Sequence, residues 1–117
     1  MGVLRYNVNR LLNIMNTIFS WRIANMERHT ANGVVFAVHY TVSANDNFHS
    51  SGTYGSLRLE APEPDTMIPF DSLTEEIVVG WIKDAFGDEK VVEIEAALQA
   101  QLDEKRSPTK AAGVPWA

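Results

Sequence analysis

Residues 34–44, VVFAVHYTVSA, decide how the rest of the chain is read. On an extended backbone Val34, Phe36, Val38, Tyr40 and Val42 fall on one face, and Val35, Ala37, His39, Thr41 and Ser43 on the other. This is the period of two of a half-buried strand, with the second face smaller and wetter. Upstream, within 17–28, Phe19, Trp21 and Ile23 alternate with Ser20, Arg22 and Ala24 and predict a strand with its large residues inward. TANG, residues 30–33, separates the two strands, and Asn32-Gly33 accepts the positive φ of a tight hairpin. Downstream, NDNFHSSG (45–52) reads as a loop. In TYGSLRLE (53–60), Gly55, Leu57 and Leu59 alternate with Tyr54, Ser56 and Arg58, which predicts a third antiparallel strand; Gly52 and Gly55 mark a bulge or an edge. Pro62 and Pro64 end it, and TMIPF (66–70) can add a short extended piece.

The pattern then changes period. Ser72 followed by Glu75 predicts a capping box. Leu73, Ile77, Val78, Trp81, Ile82, Ala85 and Phe86 form one apolar stripe at helical spacing, and Gly87 stops it. Asp88 can cap a second helix over 89–105, with Val91, Ile94, Ala97, Leu98 and Leu102 inward and Glu93, Glu95, Gln99, Gln101 and Asp103 mostly outward. Lys105 and Arg106 suit its negative C-terminal end. Strands followed by helices predict an α+β fold, a small antiparallel sheet of three or four strands followed by and packed against two C-terminal helices. Residues 17–106 make that single domain. Residues 1–16 form an N-terminal extension or short helix, in which asparagines weaken a face of Val8, Leu11, Leu12 and Met15, and residues 107–117 form an extended arm.

Composition removes whole classes of function. The 117 residues sustain one modest core, and the absence of cysteine excludes disulfides, thiol catalysis and cysteine-based zinc sites. The net charge of -5 is unevenly spread. Residues 1–59 carry five arginines against two acids, residues 60–104 thirteen acids against two lysines, and residues 105–117 three cations. So acidic a helical region repels a phosphate backbone and disfavours nucleic acid as a partner. No stretch approaches the ~18 consecutive apolar residues of a membrane span. Asn7, Asn9, Asn13 and Asn16 interrupt any signal-peptide core, so secretion is not expected.

The chemistry-bearing residues are sparse. His39, His49 and Asp46 could be drawn into a metal site, but no HExxH or close histidine pair makes the set specific. Asp46, His49, Ser50 and Ser51 include the residue types of a nucleophilic triad without a GxSxG elbow. Glu75 with Glu76, and Glu93 with Glu95, read as exposed or capping carboxylates. The expectation is a non-enzymatic protein with no catalytic residue, no metal site and no cofactor. Arg22, Phe48, Tyr54 and Arg58 make a basic-aromatic patch of the kind that stacks bases, which carries the alternative of a small soluble regulator or nucleic-acid-associated protein.

The C-terminal KAAGVPWA (110–117) raises a separate question. Pro108, Gly113 and Pro115 make it non-helical, yet at Trp116 it carries an indole, a common interface anchor, beside a proline that lowers the entropy lost on ordering. Val114, Pro115 and Trp116 are the candidate partner-binding residues. Trp116 either docks in a neighbour or folds back over its own helix-sheet junction, and the sequence leaves both open.

FSWRIANMER (19–28), VFAVHYTVSA (35–44), YGSLRLE (54–60), IPFDSLTEEIVVGWIKDAFG (68–87) and GVPW (113–116) together resemble a family of small proteins of tailed phages and related mobile elements. The resemblance spans residues 17–117, most distinctively LTEEIVVGWIK (73–83) and GVPW, and supplies no catalytic residue. It implies a virion component, an assembly accessory or a small protein acting on a host factor. The partners it implies are other phage proteins, and the location the host cytoplasm during infection or the virion; the exposed edges of a small sheet and the arm add a second copy in a possible homo-oligomer.

Overall fold

The computed structural model describes residues 16–116, so the foreseen N-terminal extension lies, but for Asn16, outside the described residues. Strands β1 (Ile18–Arg28), β2 (Val35–Asn45) and β3 (Ser50–Arg58) form one antiparallel sheet in the order β1-β2-β3. Residues 66–70 do not join it, because two 3-10 turns, Pro64–Thr66 and Phe70–Ser72, bend the chain across the sheet's end. Helices α1 (Glu75–Phe86) and α2 (Asp88–Arg106) follow. The α+β order of sheet, then two helices packed on it, is as the periodicity predicts.

Two bulges set which side chains face the helices. Ile23 pairs with Tyr40 but Asn25 with His39, leaving Ala24 extra on β1, so the inward series Phe19, Trp21, Ile23 continues at Met26. A second shift pairs Glu27 with Ala37 and Arg28 with Val35, passing over Phe36. Strict alternation placed Phe36 inward and Val35 outward; the bulge reverses them. Val35 enters the core, while the Phe36 ring lies 4.6 Å from that of His29, with the Arg58 guanidinium 5.8 Å away.

The core lies between the inward sheet face and the helices. Val38, Val42 and Ala44 of β2 meet Val78 and Ile82 of α1 and Leu98 and Leu102 of α2, all fully buried. Each large side chain contributes about 1.5–3 kcal/mol on burial. Trp21 and Tyr40 stack at 6.2 Å, and Phe86 meets the Tyr40 ring edge-on at 5.6 Å. The Tyr40 ring lies over Gly55 of the next strand, where a Cβ would stand 2.6 Å from the phenolic oxygen. Glu95, expected outward, accepts a hydrogen bond from the Trp21 indole at 2.9 Å.

The helix ends differ from the expected capping box. Thr74, not Ser72, caps α1, its Oγ1 accepting from the Ile77 N–H at 3.3 Å; Ser72 lies in the preceding 3-10 turn. Glu75 instead reaches the edge of the sheet. Its carboxylate accepts from the Ile23 N–H at 3.1 Å and from Arg22 Nε at 3.2 Å, and the backbone bond, then Arg22, hold it below the usual carboxylate range. Gly87, with φ 81°, both ends α1 and begins α2, a conformation that glycine adopts without a Cβ penalty.

Candidate functional site

The arm begins at a fixed root. Asp46, only 3% exposed, closes the four-residue turn between β2 and β3: Oδ1 accepts from the N–H groups of Phe48 at 3.0 Å and His49 at 2.7 Å. Its Oδ2 receives the Arg106 guanidinium from the last turn of α2. The two backbone donors, reinforced by Arg106, lower the Asp46 pKa to about 2. Lys105 Nζ also donates to the Ser50 carbonyl, so the C-terminus of α2 is pinned to this hairpin. Both oxygens of Asp46 are engaged in that joint. Neither the metal set nor the triad imagined around Asp46 assembles.

Past the joint the chain turns back once. The Thr109 N–H donates to Glu104 Oε1 at 2.8 Å and its hydroxyl to the same carboxylate at 3.0 Å, which holds the Glu104 carboxyl below its ordinary range. Residues 110–116 are then exposed throughout. Trp116 is 84% exposed and does not fold over the helix-sheet junction, the alternative that the sequence left open.

A cleft lies at the opposite end of the sheet. Val35, Leu59, Met67, Ile68, Leu73 and Trp81 line most of a cavity of ≈ 350 Å³, with Glu60 among its walls. It forms because the Pro-rich segment after β3 cannot pair with the sheet and crosses its end, leaving a gap before α1 begins. The Arg28 guanidinium lies 3.9 Å above the Phe70 ring and holds that crossing against β1.

The DUF7936 family, described as a domain of unknown function, matches residues 16–116, the sheet, both helices and the arm to Trp116. The chain belongs to this family. No curated protein and no solved structure matches it.

Of the four sheet-face candidates, this DUF7936 domain places three on the face away from the helices. Arg22, Thr41 and Tyr54 lie opposite one another across the three strands, and Arg58 stands further along β3. Phe48 sits apart, in the β2–β3 turn. Tyr54 and Phe48 are 84% and 86% exposed. Arg22 is paired with Glu75, which removes much of its charge from the face.

The same face holds a chain that sequence reading did not find. His39 bonds Glu27 Oε2 through Nε2 at 2.8 Å and Ser56 Oγ through Nδ1 at 2.6 Å. With Nε2–H donating to the carboxylate, the neutral ring accepts the serine proton at Nδ1. These are the residue types of a nucleophilic triad, contributed by three strands. Ser56 nevertheless lies inside the regular β2–β3 pairing, and none of the three lines the cleft at the end of the sheet. The arrangement ties the strands together on a wet face. Only the cross-strand register, His39 opposite Ser56, could have shown it. Among the described residues no three His, Asp or Glu side chains converge as a metal site requires.

Proposed function

We propose that this chain is a non-enzymatic protein of a tailed phage or related mobile element that makes protein–protein contacts in a virion or assembly complex through Val114, Pro115 and Trp116. The observation that carries this reading is the exposure of Trp116 within the span matched to the family. An indole left in water at the end of an arm that adds nothing to the core costs solubility unless a partner covers it. The phage setting rests on the resemblance of LTEEIVVGWIK and GVPW.

The test is mass measurement of the native complex that contains the chain, comparing the full sequence with one truncated after Lys110. Loss of the complex with an unchanged melting temperature supports the reading; an unchanged complex removes it. A second reading, a regulator associated with nucleic acid, draws on Tyr54 standing exposed on the same sheet face as Arg22 and Arg58. Binding to DNA or RNA that weakens steeply with salt would favour it, although the pairing of Arg22 with Glu75 weighs against a strong patch.

A further inference from the structure

We infer that the receptor for the arm is the cleft at the far end of a second copy of this chain, so that copies associate head to tail. This rests on the proposed role of the arm and adds its occupant. The first argument is reach. The arm's root is fixed at Asp46 by Arg106, whereas Val35, at the other end of β2, lines the cleft. Eleven residue steps separate them along one strand, roughly 36 Å at ~3.3 Å each. Thr109 is turned back onto Glu104, so only seven steps remain to Trp116, about 25 Å at full extension. The extended arm is thus shorter than the strand that separates its root from the cleft, which favours the cleft of another copy over its own.

The second argument is complementarity. Leu59, Met67, Ile68 and Trp81 offer an apolar cavity of ≈ 350 Å³, a size that takes an indole with its neighbouring proline. The segment beside the cleft, residues 60–72, carries Glu60, Glu63, Asp65 and Asp71 and no base, while residues 107–116 carry Lys110 and no acid. The arm's cation thus approaches acids as its apolar tip enters the cavity. A shallower depression of ≈ 380 Å³ beside Phe19, Val92 and Ala96 does not include Trp116 among its walls. Docked one way, knob and hole give a heterologous contact that propagates into a ring or filament; exchanged reciprocally, they close a two-fold pair.

The experiment is sedimentation velocity and native mass spectrometry of the full chain, of Trp116→Ala and of Ile68→Glu, whose side chain stands at the cleft rim outside the core. Wild type should show concentration-dependent association, and each variant should associate roughly thirtyfold more weakly with an unchanged melting temperature. An equimolar mixture of the two variants retains one intact arm and one intact cleft. It should recover a dimer and nothing larger. A monomeric wild type at every concentration overturns self-docking, as does a mixture that stays monomeric. If wild type is monomeric but Trp116→Ala abolishes its complex with another protein, the second copy is wrong and the arm's role stands. If Trp116→Ala leaves both self-association and that complex intact, the arm's role fails as well.

Discussion

Gly55→Ala tests whether the aromatic cluster, and not strand propensity, governs this part of the sheet. In an ordinary strand the change stabilises by about 0.5–1 kcal/mol, because alanine loses less backbone freedom on folding. Here the new Cβ would stand 2.6 Å from Tyr40 Oη and 2.8 Å from Cζ, so the ring must move. Overpacking of this kind costs about 1–3 kcal/mol. Moving the ring also weakens its contacts with Trp21 at 6.2 Å and Phe86 at 5.6 Å, each worth about 0.5–1.5 kcal/mol. The net expectation is a loss of ~2 kcal/mol, or about 8 °C in Tm for a chain of this length. Urea denaturation of wild type, Gly55→Ala, Tyr40→Ala and the double variant closes the cycle. Once Tyr40 is alanine, Gly55→Ala should be neutral or stabilising. A Gly55→Ala variant as stable as wild type, or one equally destabilised in both backgrounds, would refute the reasoning.

Three further changes probe other parts of the fold. Asp46→Asn should lower Tm at pH 7; because the folded pKa is depressed to about 2 from 3.8, the native carboxylate's contribution is complete above pH 4 and disappears as pH falls through 2, where thermal melts of the two proteins should converge. Gly80→Ala in α1 should raise stability by ~0.5–1 kcal/mol in chemical denaturation, since a Cβ there meets nothing within 4 Å and alanine is the better helix former. Ile82→Ala removes a fully buried side chain and should cost about 2–5 kcal/mol in the same measurement.

The elements that kept a single period were legible in the sequence. The stripe Val78, Trp81, Ile82 and Phe86 gives α1 directly, with Val79 joining the cluster where Ile77 was expected, and Val38, Tyr40 and Val42 give the inward face of β2. What was hidden depended on partners. The exchange of Val35 and Phe36 follows from a bulge that exists only in the pairing with β1. Ser72 and Thr74 are both competent caps, and the 3-10 turn at Phe70–Ser72 decides between them. Asp46 read as a loop acid because its counterion, Arg106, is sixty positions away. The cleft was least legible, since its walls come from the β1–β2 loop, the ends of two strands, the Pro-rich crossing and α1. No local pattern encodes a gap between segments that distant.

The two edges of the sheet also differ in a way that bears on the proposed association of copies. On β1 two bulges break the ladder, and Glu75 occupies the Ile23 N–H that a foreign strand would need. Both are devices that blunt an edge. On β3 the pairing is regular, and residues 50–57 carry no charge and no proline. Apart from Lys105 on the Ser50 carbonyl, the β3 edge carries no such device and by itself would favour a symmetric pair through strand addition. The proposed arm contact competes with that outcome where it is the stronger of the two. The Asp46–Arg106 joint closes the β2–β3 turn and fixes the root of the arm, and under the proposed association it thereby favours the cleft of another copy. Loosening that joint, as Asp46→Asn does, would lengthen the free arm by the last turn of α2, bring the cleft of the same molecule closer to reach, and shift association toward the monomer.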